Sequence, residues 1–284
     1  MNAPVIALDI GGTRTRAALI EPDRRIAWRD ARTTPSQDGP DALIAAIASM
    51  LAPLAGSAAP VGLAIAGQVA EGRITAHNPA LLRGWDAYPL QSVLAERLGR
   101  SVLLVNDARA AAWGEFRFGA GRGCSEFAFV TVSTGIGAGL VLGGRLHLAR
   151  NGLDAELGET LCADDRTLED HASGTALGAF AAAHGFVDAR GLCDAADAGD
   201  PRAGAELDRG IRLLAGKLAD LRVNLGIERC AIGGGVGLRP TYLSRLRAQM
   251  SRWPSLYGHE IIAAELGADA GLHGVAALVS CPPS

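Results

Sequence analysis

The same local design occurs twice in this chain: an apolar strand, a glycine-rich turn and a strand running back. Val5-Ile6-Ala7-Leu8 reads as a buried strand and Gly11-Gly12-Thr13 as a turn. Arg16-Ala17-Ala18-Leu19-Ile20 is the returning strand, and a third with polar alternation covers 25–29. The pattern recurs near residue 127. Residues 126–132 are a strand, 133–139 a glycine-rich turn, 139–142 the return, and 145–148 continue the meander. Strands and helices alternate after each opening. Two lobes of similar α/β design follow, with a crevice between them and a predicted seam at 119–123.

The remaining elements fit that plan. Helical spacing covers 41–54, 90–98, 108–116, 168–184, 201–225, 240–250 and 270–279, and strands are expected at 61–65, 102–105, 230–232 and 260–264. The chain has 284 residues, of which 49% are hydrophobic and 20% charged, enough for a large core without disulfides or metals as staples. A net charge of −3 offers no basic field for nucleic acid or for an anionic membrane surface. No apolar run reaches the roughly 18–20 residues of a bilayer span, and the first residues lack the basic start of a signal peptide. The five cysteines are scattered without a CxxC pair, as expected of reduced thiols in a cytoplasmic protein.

Chemistry is expected at the glycine turns. In Asp9-Ile10-Gly11-Gly12-Thr13-Arg14-Thr15, paired glycines let backbone amides approach phosphate oxygens. The Thr13 and Thr15 hydroxyls can donate, and Asp9 can hold a hydrated Mg²⁺. A plain tight hairpin with glycine at positive φ is the competing reading. Ser133-Thr134-Gly135-Ile136-Gly137-Ala138-Gly139 again mixes hydroxyls with glycines. It is neither a Walker A loop nor a dinucleotide fingerprint, because no Gly-Lys-Ser/Thr follows and a strand comes next. Gly233-Gly234-Gly235-Val236-Gly237 ends a strand, where flat backbone can accept adenine and ribose. Asn106-Asp107 lies between a strand and a helix. Asp107 there is either a helix cap or a general base, and Asn106 offers both a donor and an acceptor.

Taken in order, these motifs resemble the ROK family of sugar kinases, within the hexokinase–actin–Hsp70 superfamily. The resemblance spans essentially the whole chain. It is carried by Asp9-Ile10-Gly11-Gly12-Thr13, Ala66-Gly67-Gln68-Val69, His77-Asn78-Pro79, Val105-Asn106-Asp107-Ala108, the 131–139 stretch, Glu156-Leu157-Gly158, Leu168-Glu169, Ala172-Ser173-Gly174, Ile232-Gly233-Gly234-Gly235 and Asp269-Ala270-Gly271-Leu272-His273-Gly274. The wording of 106–116 and 233–238 is similar to the bacterial N-acetylmannosamine kinase subgroup.

The resemblance implies a two-lobed actin-like ATPase fold of the ribonuclease H-like type, with a central cleft. Residues 1–118, joined by the C-terminal helix 270–284, would form one lobe and 119–269 the other. It implies ATP-dependent phosphorylation of the 6-hydroxyl of a hexose or N-acetylhexosamine, N-acetyl-D-mannosamine first among them, by a homodimer. Asp107 would be the base. Gly67, Asn78, Asn106, Glu156, Glu159 and Glu169 would line the sugar. Asp9, Gly11, Gly12, Thr13, Thr15, Thr134, Gly135, Gly234 and Gly235 would surround Mg²⁺ and ATP. Glucokinase-like or N-acetylglucosamine kinase-like specificity, and a non-catalytic sugar sensor, are the alternatives. A repressor is not expected, since no helix-turn-helix precedes the first strand.

One stretch departs from the family. Where its members write Glu-x-Gly-His and a cysteine cluster that bind zinc, this chain has Glu156-Leu157-Gly158-Glu159-Thr160-Leu161-Cys162. One thiolate among carboxylates does not make a tetrahedral zinc site, so no zinc is expected. Glu159 stands where a sugar-contacting histidine would be. It either takes over that contact or is a solvated loop carboxylate. His171 is weighed as a second sugar contact, and Trp85 as core packing.

Overall fold

The computed structural model describes residues 3–76 and 83–281. Asn78 and its neighbour His77 lie outside the described residues. The first sheet holds β1 (Val5–Ile10), β2 (Arg14–Ile20), β3 (Ile26–Thr33), β4 (Val61–Ile65) and β7 (Val102–Asn106), in the order β3-β2-β1-β4-β7. β5 (Gln68–Ala70) and β6 (Arg73–Thr75) pair separately. The second sheet holds β8 (Phe127–Val132), β9 (Ile136–Leu142), β10 (Arg145–Leu146), β11 (Arg229–Gly233) and β12 (Glu260–Ala263), in the order β10-β9-β8-β11-β12. In both sheets an antiparallel hairpin, β1–β2 or β8–β9, is extended by parallel strands, β4 and β7 or β11 and β12. The two sheets therefore carry one strand order twice, which is the repetition visible in the sequence.

The helices are α1 (Pro40–Met50), α2 (Leu90–Leu98), α3 (Asp107–Phe118), α4 (Leu168–Ala172), α5 (Gly174–His184), α6 (Ala189–Asp197), α7 (Pro201–Leu225), α8 (Pro240–Met250) and α9 (Ala270–Ser280). None of the described helices is long and apolar enough to cross a membrane. α7 shows how local sequence sets its limits. Asp200 accepts the Arg202 and Ala203 amides, Pro201 takes the first position, and Gly226 closes the end with φ 71°. Its buried face, Leu207, Ile211, Leu214 and Leu218, packs on Val130, Val132 and Ile232 in one core. The other core joins Ile6, Leu8, Ile10, Leu63 and Ile65 to Leu43 and Ile47 of α1, and includes Trp85.

The chain divides into two compact units: Met1–Arg117, Leu146–Asp154 and Ala268–Ser284 form the first, Phe118–Arg145 and Ala155–Gly267 the second. Residues 146–154, expected in the second lobe, belong to the first unit. Several elements also differ from expectation, the short β5–β6 pair among them. The helix expected over 41–54 stops at Met50 and gives way to a 3₁₀ turn, Ala52–Leu54, where Pro53 cannot donate. The 168–184 helix breaks at Ser173, which has φ −78° and ψ 166° and caps Ala176. α6 had no expected counterpart, because its apolar stripe is only Leu192, Cys193 and Ala196.

α9 reaches the first sheet through glycines. A Cβ on Gly62 of β4 would stand 2.8 Å from Val275. One on Gly274 would stand 1.7 Å from the Ala110 carbonyl oxygen of α3, and one on Gly114 2.4 Å from that of Ala270. α3 and α9 thus cross at a distance that only glycine permits.

Candidate active site

In the first unit, β1, β4 and β7 run parallel with Ile10 opposite Ile65 and Ile65 opposite Asn106. Their carboxyl ends form one edge, the usual ligand side of parallel sheets. Asp9, Asn106 and Asp107 lie there. Asn106 is the true cap of α3: its Oδ1 accepts the amides of Ala108 at 2.9 Å and Arg109 at 3.2 Å. Asp107 occupies the first helical position, and its Oδ1 accepts the next amide, Ala108, at 2.8 Å. The cap reading of Asp107 is therefore corrected: its neighbour does that work. The positive end of α3 faces the Asp107 carboxylate.

Asp9 is mostly buried. Burial first, and the Asp107 carboxylate second, push its pKa from 3.8 up to about 6. Arg16 opposes this through Nη1, 3.3 Å from Asp9 Oδ2, and also donates to the Ala268 carbonyl at 3.0 Å. Two carboxylates held against each other in this way suit a divalent cation.

The other predicted residues of this unit separate by role. Gly67 is required by its backbone: φ is 122°, a Cβ would lie 2.9 Å from the Thr75 carbonyl oxygen, and its own carbonyl accepts Asn106 Nδ2 at 3.0 Å. The Gly11 amide donates to the Arg14 carbonyl at 3.0 Å and closes the hairpin without a left-handed φ. Gly12 is half-buried and Thr13 exposed at the turn. Thr15 does not face a phosphate. It is buried, and its hydroxyl meets that of Thr34 at 3.0 Å, which in turn donates to the Gly11 carbonyl at 2.8 Å. Strand alternation turns Thr15 inward while Thr13 stays out.

In the second unit, the Ser133–Thr134 backbone is fastened to the start of α5. Gly174 and Thr175 donate their amides to the Ser133 and Thr134 carbonyls at 2.7 and 3.0 Å. The break at Ser173 exists for this docking, and a Cβ on Gly174 would stand 2.4 Å from the Ser133 oxygen. Thr134 and Gly235 line one cavity of about 620 Å³ together with Ser133, Thr175, Arg190 and Cys193. Gly235 faces open space, whereas Gly234 has φ 84° and a Cβ there would stand 2.3 Å from the Val132 oxygen. Gly234 therefore serves the close packing of the turn on β8. Arg190 on α6 is exposed and has no ion-pair partner among the described residues. It escaped the sequence reading along with its helix.

Glu156, Glu159 and Glu169 share a neighbourhood. Burial lifts the Glu169 carboxyl above its usual range, the Ile136 amide at 2.6 Å pulls it back, and Glu159 and Glu156 lift it further. A Cβ on Gly135 would sit 2.5 Å from Glu169 Oε2, so this glycine makes room for a carboxylate. Glu156 sits in a tight turn with φ −74° and ψ 60°, and the Leu157 amide bonds back to the Ala155 carbonyl at 2.8 Å. Glu159 is exposed. His171 points elsewhere: Nε2 is 2.9 Å from Asp164 and Nδ1 2.9 Å from Arg209 Nη1. Arg209 is itself gripped by Glu206 through two bonds at 2.6 and 2.9 Å.

Residues 5–281 match the ROK family. The chain is a member of the ROK family. It is 41% identical over 284 residues to the bifunctional enzyme NanE/NanK of Brucella melitensis biotype 1, covering 98% of this chain and 54% of that protein. It therefore spans about half the length of the first relatives it matches. It is also 35% identical over 283 residues to the N-acetylmannosamine kinase of Shigella boydii serotype 18, covering 96% of this chain and 97% of that one. Among solved structures it resembles a ROK family glucokinase from Streptomyces griseus in complex with glucose and AMPPNP. The TM-score is 0.83 at 30% identity, over 97% of this chain and 99% of the other. As a ROK protein it has the two-lobed, actin-like ATPase fold.

Proposed function

We propose that this chain transfers the γ-phosphoryl group of ATP to the 6-hydroxyl of N-acetyl-D-mannosamine. The observation that carries the reading is the division of labour at the start of α3. Asn106 caps the helix, so the Asp107 carboxylate is not needed as its cap. Asp107 accepts the 6-hydroxyl proton as the oxygen forms its bond to the γ-phosphorus and the bond to the ADP oxygen breaks. Asn106 and Gly67 hold the sugar edge, with Glu156, Glu159 and Glu169 as acceptors for ring hydroxyls. Thr134, Gly235 and the cavity they line take the nucleotide, and Arg190 meets its anionic portion. Asp9 fits Mg²⁺, because the charge of a cation offsets the repulsion from Asp107. Mg²⁺ bound with ATP neutralises phosphate charge. The curated relatives named for N-acetylmannosamine support that choice of sugar.

Zinc does not fit the same loop. Cys162 is its lone thiol, both His171 nitrogens are engaged, and the Arg209 guanidinium stands beside them. Among the described residues no group of three or more His, Cys, Asp or Glu is placed to hold a metal ion.

A coupled ADP-release assay over N-acetylmannosamine, N-acetylglucosamine, glucose and fructose tests the reading, with Asp107→Asn as control. N-acetylmannosamine should give the highest kcat/KM. The Asn variant should lose about 10²–10⁴ in kcat, the usual worth of a general base. Its melting temperature should hold, because the cap is intact. Near-normal turnover of Asp107→Asn overturns the assignment of the base.

A further inference from the structure

Arg109 is the largest fully buried side chain among the described residues, at 1% exposure, and it lies two residues beyond Asp107. A guanidinium cannot give up its proton, so a buried one must be met by acceptors. Nε donates to Asp154 Oδ1 at 2.8 Å, and Nη1 donates to Asn106 Oδ1 at 2.9 Å. Asp154 is buried as well, and its other oxygen accepts the Ala149 amide at 2.9 Å. One hydrogen of the Asn106 amide is engaged as well: Nδ2 donates to the Gly67 carbonyl at 3.0 Å.

We infer that Arg109 is the positioning residue of the sugar site, fixing Asn106 so that it meets substrate only as a donor, through its second Nδ2 hydrogen. This rests on the reading above that Asn106 and Asp107 face the sugar. The orientation follows from counting. A carbonyl oxygen has two lone pairs, and Asn106 Oδ1 already faces three donors. Of the two backbone donors, one is shared with Asp107 Oδ1 and the other is long at 3.2 Å. The guanidinium is therefore the strongest of the three and sets which way the amide points. The hydroxyl that meets Asn106 accepts a hydrogen bond there, and its own proton must point to another acceptor. Asp154, at the end of the 146–154 segment of the first unit, anchors the guanidinium.

Removing Arg109 alone would strand Asp154 as a buried charge, so the test removes both. Arg109→Met with Asp154→Leu replaces the ion pair by apolar volume, a change that cores often tolerate. The double variant should keep a melting temperature close to that of the parent protein and an ATP KM within about twofold. Its sugar KM, and its sugar Kd by calorimetry without ATP, should rise about 10–100-fold, the scale of losing a fixed polar contact. A merely structural role would leave sugar affinity in step with ATP affinity. If the double variant does not fold, Arg109→Lys serves: its single ammonium holds Asp154 but lacks the fork that reaches Asn106. The same selective loss of sugar affinity is expected. A folded variant of either kind with unchanged sugar Kd overturns the inference. A parent protein that binds sugar but transfers no phosphoryl group overturns the kinase reading and leaves the positioning role standing.

Discussion

Burial and the Asp107 carboxylate make ionised Asp9 costly in the folded protein, and a titration of stability measures that cost. The folded protein holds this carboxyl at about 6 against an ordinary 3.8. Between those two values the native state binds more protons than the unfolded chain, so stability falls as pH rises through that window. Above pH 6 the whole cost is present. Asp9→Asn should therefore stabilise the fold at pH 7 without Mg²⁺ by up to about 3 kcal/mol for a shift of this size, and raise the melting temperature accordingly. The gain should vanish as pH falls to 4. Paired melting curves of parent and variant across pH 4–8 read it directly. An advantage that is flat with pH would mean that neither burial nor the Asp107 carboxylate raises the Asp9 carboxyl. Thr15 shows the opposite lesson at this scale: a hydroxyl in a phosphate-like motif can spend its hydrogen bond inside the hairpin.

Between elements, glycines do two different jobs. Gly274 of α9 has the Ala110 carbonyl of α3 where its Cβ would be, whereas Gly216 in the middle of α7 has nothing within 4 Å. Gly274→Ala must push two helices apart. Overpacking of this kind costs about 1–3 kcal/mol or more. Gly216→Ala only restricts the unfolded chain and improves helix propensity, a gain of about 1 kcal/mol. Chemical denaturation of the two variants should move the midpoints in opposite directions. Equal effects would contradict the close crossing of α3 and α9. The α4–α5 break belongs to the same scale, because Ser173 ends one helix and caps the next so that two amides can fasten the Ser133–Thr134 backbone.

At the scale of the whole molecule, one strand order used twice gives each unit its own core and its own set of functional groups. The first holds the Asp9, Asn106 and Asp107 edge, and the second holds the glutamates and the cavity lined by Thr134 and Gly235. In the second unit the Asp164–His171–Arg209–Glu206 chain of hydrogen bonds links the 156–169 stretch to α7, and with it we propose that the stretch holds its shape without zinc. Strong chelators should therefore leave its melting temperature unchanged, and elemental analysis should find no stoichiometric zinc. One zinc per chain would overturn this account of the loop.

The repeated openings, the strand ends that carry Asp9 and Asn106-Asp107, and the glycine turns were legible from residue order alone. Apolar periodicity and glycine punctuation act over a few residues and need no distant partner. Which of Asn106 and Asp107 caps α3 was not legible. Nor was the inward turn of Thr15, the break at Ser173, or the reason for Gly135. The cap bonds of Asn106 are local, but the guanidinium that meets its Oδ1 is held by Asp154, 45 residues from Arg109. The other features depend on distant groups, with Glu169 33 residues from Ile136, Thr34 19 residues from Thr15, and Gly174 bonded to Ser133. A hydrogen bond is short and directional. The sequence names the donors and acceptors, and only the packed fold decides which of them come within 3 Å of one another.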